Sequence, residues 1–333
     1  MPMAVSFADR VRMRRVTARG QFDGVFRISS TTDVLLEDVA GYGGRNIFSL
    51  NNNVNAVLRR CYGRWTTGPS LYGNVVVIAG SGVLVENCVA EAITPRSNNI
   101  SAYIVTTDSS PANNNRFVAN VARTVDGSCA TTWGTGGENV YSSGTLVLDS
   151  VAIRSAYGVY QRADAMMTTD RATLNANTAA VRVLPNAGTV APSRLGFKLT
   201  NSAMFASPQG ISYTADPLIT STEHHDNVFG NIATLYAGSA TPGMREQTFN
   251  PNWDLSTYGD GGYLIRPSSL RSAGEGGSPA GAEILYRTVD GTLTTTPLWP
   301  WPMEDRIRAE EGVSVTWESA GGLWRTRPPV SCP

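Results

Sequence analysis

One six-residue polarity pattern recurs through the first two thirds of the chain. VRMRRV from Val11, VLLEDV from Val34, AVLRRC from Ala56 and VLVENC from Val83 have apolar residues at places one, three and six. Places four and five are charged or amide. Looser copies start at Arg116, Leu146, Met167 and Phe197. Between them runs a second family: GVFRIS at Gly24, NIFSLN at Asn46, NVVVIA at Asn74, SAYIVT at Ser101, GVYQRA at Gly158, AVRVLP at Ala180 and GISYTA at Gly210. Alternating polarity over such short spans predicts β-strands, each with one face in a core. Two strands per repeat, recurring roughly every 21 to 33 residues with loops of variable length, predict a coiled parallel sheet.

Stacking successive copies tests the register. Parallel strands lie about 4.8 Å apart, so like places form columns. Place four reads Arg14, Glu37, Arg59, Glu86, and place five reads Arg15, Asp38, Arg60, Asn87. Opposite charges alternate up the stack, an arrangement that favours neighbouring strands by about 0.2–1 kcal/mol per pair. The arginine-rich start of the chain is therefore expected to be a ladder of ion pairs. Cys61 and Cys88 share place six. Parallel inward Cβ vectors suit two small buried thiols better than a disulfide.

The segment GVLVENCVAEAI over 82–93 resembles one turn of the right-handed parallel β-helix of the pectate-lyase-like superfamily, and the resemblance spans about residues 10–235. It implies an all-β chain: a parallel β-helix of about eight turns over residues 1–236, followed by an irregular tail over 237–333. A β-propeller would need a longer period with four strands per repeat. A β-sandwich would show hairpin signals such as Asn-Gly, which is absent.

Place two points outward, yet in this frame it carries Leu35, Val57, Leu84, Phe117 and Val147 before turning polar at Thr168 and Lys198. Strands with two apolar faces are covered on both, so a partner or the tail is expected over this stripe. The tail is the nearer candidate, because Trp253, Trp299, Trp301, Trp317 and Trp324 all lie in it. Its run PLWPWPMEDRIRAE, which is expected to hold a short helix from Pro302, resembles the tail of uncharacterised bacterial β-helix proteins.

Composition removes several functions. The chain of 333 residues balances 27 basic against 27 acidic side chains and is only 16% charged, so it lacks the long-range field that nucleic acid demands. No apolar run is long enough for a membrane span, and neither a phosphate-binding loop nor zinc-type Cys/His spacing is present. The runs Asn51–Asn53 and Asn113–Asn115 are expected to make turns and stacked amides.

The resemblance implies acidic polysaccharide as a ligand and an extracellular or cell-surface location. The carboxylate and Gly-His-Gly motifs of polygalacturonases are missing, and the pectate-lyase motifs have no clear counterpart. One constellation departs from charge alternation. In this frame Asp149 and Asp170 share place four on successive turns, with Arg171 beside the second and Lys198, the only lysine, on the next. Stacked carboxylates repel unless a proton or a cation such as calcium lies between them. Asp149 and Asp170 are thus the candidate metal ligands and acid/base pair. Arg171 and Lys198 are candidates to neutralise a uronate or take its α-proton. The only histidines, His224 and His225, are expected in a polar turn, pointing to opposite faces. The alternatives to a polysaccharide lyase or binder are a structural or adhesive protein that self-associates through its ends, and a phage tail-fibre-like protein whose stripe is an intersubunit seam.

Overall fold

The computed structural model describes residues 3–20, 24–65, 73–92, 100–106, 111–124, 130–136, 142–162, 164–185, 195–255, 259–284, 286–289 and 292–297. It is 61% strand and 4% helix, a parallel β-solenoid of about 8 turns. Each turn has three faces. The first sheet stacks nine strands, from Arg12–Arg14 through Leu35–Glu37, Val57–Arg59 and Leu84–Glu86 to Ile219–His225. The second begins with Thr17–Gly20, Ala40–Gly43, Tyr62–Trp65 and Val89–Ala92. The third begins with Met3–Ser6, Gly24–Ser29, Asn46–Val54, Gly73–Ser81 and Ile100–Thr106. Two long strands, Val151–Gln161 and Thr173–Val183, run through the corner and join the second and third faces into one hydrogen-bonded sheet.

Both corners flanking the first sheet are made by stacked residues in the left-handed region. After the first sheet these are Arg15, Asp38, Arg60, Asn87, Ala119, Asp149, Arg171, Asn201 and Asp226, all with φ between 46° and 57°. Before it come Arg10, Asp33, Asn55, Gly82, Asn114 and Gly144. Asn, Asp and Gly are the residues that accept this conformation at least cost, which accounts for their share of both columns. Nearly all of these corner N–H groups bond a carbonyl of the next turn, as in Asp38 N to Arg59 O at 3.1 Å and Arg60 N to Glu86 O at 3.0 Å. The bend therefore leaves these backbone donors satisfied.

The interior is a continuous apolar stack. Val34, Leu36, Leu58, Val85, Phe117, Val147 and Leu199 come from the first sheet, and the third adds Phe26 stacked on Phe48 (5.3 Å) and Tyr103 on Trp133 (6.1 Å). Several of the buried polar groups serve neighbouring backbone. Asn53 accepts from Thr31 N and donates to Ile28 O, while Asn115 does the same for Val83 N and Gly80 O. The expected turns are found only in part: Asn51–Asn53 lies within the strand Asn46–Val54, whereas Asn113–Asn115 forms the bend before the first sheet, and in each run the buried third amide ties one turn to the next. Cys61 and Cys88 are free and buried, with Cys61 N donating to Cys88 Sγ at 3.2 Å. Burial pushes the Cys88 thiol well up. Cys129 and Cys332 lie outside the described residues.

The charge columns form in the first four turns. Arg14 pairs with Glu37 (2.6 Å), Arg59 with Glu86 (2.8 Å), and Arg60 with Asp38 (2.9 Å) and Glu37 (2.6 Å). Beyond them the expected register needs correction. Arg116 pairs with Leu84, not with Val83, and Leu146 pairs with Arg116, so both belong at place two. The shift by one residue exchanges the two faces. Phe117 and Val147 consequently point inward, and the outer stripe is reduced to half-buried Leu35, Val57, Leu84 and Leu146, interrupted by exposed Arg116. The stripe keeps four apolar residues instead of five and is no longer continuous, because Arg116 divides Leu84 from Leu146.

The described part of the tail packs elsewhere. Tyr263, Leu264, Ala282 and Ile284, with Trp253, join a cluster with Val121, Val151, Ile153 and Phe205 on the outer face of the second sheet. Phe205 meets Trp253 at 4.1 Å and Tyr263 at 4.4 Å. Ala282 N donates to Thr173 Oγ1 at 2.9 Å, so the segment is fixed by polar bonds as well. The cover therefore lies on the second sheet, whose outward column Ala40, Tyr62, Val89, Val121 and Val151 is wholly buried. Three short 3-10 turns, Gly259–Leu264, Ser268–Leu270 and Glu275–Gly277, shape the segment. Trp299, Trp301, Trp317, Trp324 and the helix expected from Pro302 lie outside the described residues. No helix among the described residues is long and apolar enough to cross a membrane.

Candidate functional site

Two outer faces carry polar side chains in quantity. On the first sheet the corrected register moves Asp149 from the place-four column to the place-five corner. Leu148, not Asp149, pairs with Asp170, and the two carboxylates are not stacked. Arg171, one turn on in the corner column, donates to both Asp149 oxygens at 2.7 and 2.9 Å and to Asp170 Oδ2 at 3.0 Å. Asp170 Oδ1 accepts from Thr200 Oγ1 and Asn201 Nδ2, each at 2.8 Å. The Asp149 hydrogen bond, outweighing partial burial, raises the Arg171 pKa, so the guanidinium is a permanent counter-charge. Lys198 stands apart at place two, 2.6 Å from Glu223 Oε1. Asp149, Asp170 and Arg171 thus form one compact cluster, which Lys198 does not join.

This cluster does not fit calcium. A calcium ion takes several anionic or carbonyl oxygens, and here a guanidinium already claims both oxygens of Asp149 and one of Asp170. A second group, His225, Asp226 and Glu275, brings ligand-type atoms within 4.8 Å of one another among the described residues. Arg245 disqualifies it in the same way, bonding both Asp226 oxygens (2.7 and 2.6 Å) and lying 3.6 Å from Glu275.

The histidines are on the strand Ile219–His225, not in a turn. They point to opposite faces, as adjacent strand residues must. His224 goes inward to Glu246 Oε1 at 2.9 Å; His225 goes outward to Asp226 Oδ2 at 2.6 Å, with Glu223 Oε1 3.3 Å from its other nitrogen. Burial alone would raise the pKa of Glu246. Hydrogen bonds from His224, Tyr236, Asn227 and Gly243 N–H outweigh it and hold the carboxyl below its ordinary value. These groups tie the last turns together.

The third sheet presents the opposite arrangement. Over its second to fifth strands lies an open groove of about 340 Å³ lined by Arg27, Arg45, Asn46, Ser49, Asn74 and Thr106, among others. The pairings Arg27–Ser49–Val77–Ile104 and Gly24–Asn46–Asn74–Ser101 make two parallel outward columns, and the groove runs over them. Asn74 Nδ2 donates to Asn46 Oδ1 at 3.0 Å, which fixes one amide step of the floor. Arg27 and Arg45 are exposed on its walls, and its described lining holds no carboxylate. Pattern matching along the chain misses this site because its lining is spread over four turns, with only two to four residues from each. Aligning GVFRIS, NIFSLN, NVVVIA and SAYIVT at their first residue already places Arg27, Ser49, Val77 and Ile104 in one column.

Compared with family models, curated proteins and solved structures, the chain matches none.

Proposed function

We propose that this chain is an extracellular or cell-surface β-solenoid that binds acidic polysaccharide. The observation that carries the reading is the groove on the third sheet. It is open and concave, floored by amides and hydroxyls that exchange hydrogen bonds with sugar hydroxyls. Its walls hold two guanidiniums suited to bidentate pairing with a carboxylate or sulfate. Elongated stacked columns also match the repeat of a linear polymer.

Cleavage has weaker support. The first-sheet carboxylates Asp149 and Asp170 are each engaged by Arg171, and Lys198 is paired with Glu223, so none of these acids and bases faces solvent unpaired. Isothermal titration with polygalacturonate and with uncharged dextran tests the binding. Binding of the acidic polymer that is lost in the double variant Arg27→Ala/Arg45→Ala supports the reading, and silence towards both polymers overturns it. In parallel, absorbance near 235 nm reports a lyase; a signal abolished by Asp170→Ala would restore the catalytic reading.

A structural or adhesive role through self-association draws on a separate observation. The first turn exposes Phe7 at 87%, and its inward residues Met3, Val11, Met13 and Val16 are only partly buried. Among the described residues, Met3–Ser6 and Arg12–Arg14 each pair on one side only, and a strand edge of this kind can accept another strand. A sedimentation profile that stays monomeric at every concentration removes that reading.

A further inference from the structure

The outward columns of the third sheet do not stop at the groove. Backbone pairing carries Arg27–Ser49–Val77–Ile104 on through Gly134 to Tyr160, Arg182 and Ser212. The companion column reaches Tyr157. Gly134 contributes no side chain between Ile104 and Tyr160, so it raises no wall between the groove and the tyrosines beyond. The two rings, half-buried, lie with centroids 4.9 Å apart. Arg162 sits over the Tyr160 ring at 5.3 Å, and Arg182 donates to Ser212 Oγ at 2.7 Å. Arg27 and Tyr160 are five strand spacings apart, about 24 Å. Along that line the named positions carry four arginines and two aromatic rings, and no carboxylate.

We propose that Tyr157, Tyr160, Arg162 and Arg182 form a second subsite, so that a linear acidic polysaccharide lies along the solenoid axis and engages groove and tyrosine platform together. This rests on the groove being a polysaccharide site. Aromatic rings take the apolar face of a sugar ring, while neighbouring guanidiniums take its acidic substituent. Two subsites on one rigid face reward a ligand long enough to bridge them, because engaging the second is then intramolecular.

The test is the dependence of affinity on ligand length. Digalacturonate, long oligogalacturonates and long neutral dextran are titrated into the full chain and into Tyr160→Ala, Tyr157→Ala/Tyr160→Ala, Tyr160→Phe and Arg27→Ala/Arg45→Ala. The expected result is that the long acidic ligand binds the unaltered chain at least about tenfold more tightly than digalacturonate. That advantage is lost in the double tyrosine variant and kept in Tyr160→Phe, which preserves the ring. Digalacturonate affinity falls in the arginine variant and is unchanged in the tyrosine variants. Equal affinity for short and long acidic ligands, or a length advantage indifferent to both tyrosines, overturns the second subsite while leaving the groove standing. Absence of binding to every ligand overturns the groove and the subsite with it. Thermal melts of each variant separate a lost contact from a lost fold.

Discussion

The outer faces of the first and third sheets are built from the same stacked geometry and put charge to opposite uses. On the first, the arginines of the charge columns have a carboxylate one turn away: Arg14 with Glu37, Arg60 with Asp38, Arg171 with Asp149, Arg245 with Asp226. On the third, Arg27 stacks on Ser49 and Val77, and Arg182 on Tyr160 and Ser212, so the guanidiniums have no acidic neighbour in their columns. Charge alternation closes a face by satisfying it from within. Where a column runs Arg, hydroxyl, aliphatic, glycine, tyrosine, the charge is left for a ligand. The contrast locates a candidate site by what its neighbours fail to neutralise, and the feature that first draws attention in the sequence, paired aspartates, turns out to be the neutralised one.

The strongest way to break the comparison is at the groove. Arg27→Ala together with Arg45→Ala is expected to weaken binding of acidic polymer by about a hundredfold, ~2.8 kcal/mol, at about tenfold per lost guanidinium contact. The melting temperature should stay close to that of the unaltered chain, since both side chains are exposed. Titration calorimetry beside a thermal melt reads both quantities. A large loss of stability would mean that the third face is as structural as the first.

The reciprocal experiment is Arg171→Ala. It leaves Asp149 and Asp170 without their shared cation, and both are largely buried, at 29% and 20% side-chain exposure. The expected cost is about 1–2 kcal/mol, below that of breaking a fully buried pair because solvent reaches part of the cluster. Urea unfolding measures it. Affinity for polysaccharide should be unchanged; loss of binding without loss of stability would move the site to the first sheet.

How much of the fold and site is legible in the sequence depends on the turn. In the first four, apolar residues hold places one, three and six without exception, and the register, the ion-pair columns and the inward thiols follow from them. The register slips at Arg116 because Asn115, not an aliphatic residue, fills the inward corner there. At Leu146 alternating leucine and valine fit both frames. The last strand of the first sheet is hidden by His224, a polar residue at an inward place, whose need for Glu246 cannot be seen from local pattern. The groove is least legible, since it exists only when four turns are stacked. The tail's choice of the second sheet was open because apolar outward columns occur on both sheets, and only the Ala40 to Val151 column is continuous.

A smaller effect distinguishes the closed face by its response to acid. Hydrogen bonding from Arg245, above all, holds Asp226 below the usual carboxylate range, and Lys198 does the same for Glu223. A carboxyl whose pKa is lower folded than unfolded contributes stability that is present above its unfolded value, about 4. That contribution is lost as pH falls through the folded value. The melting temperature is therefore expected to drop below about pH 4, and Arg245→Gln should flatten that part of the profile by removing the cation that lowers Asp226. A profile that keeps its slope in Arg245→Gln would assign the acid sensitivity to Glu246 and the interior instead.

The smallest effect is expected from Lys198→Ala. Its pair with Glu223 is exposed on both sides, 38% and 51%, and such pairs contribute about 0–1 kcal/mol. Near-wild-type stability and binding would confine Lys198 to the solvated edge of the first face. A loss of unsaturated product at 235 nm, in a protein shown to release it, would instead make the one lysine a proton acceptor and show that charge pairing on the first sheet conceals a working base. The outcome therefore decides whether internal neutralisation is a sufficient criterion for an inert face on this solenoid, or whether a pair as exposed as Lys198 and Glu223 opens when substrate arrives.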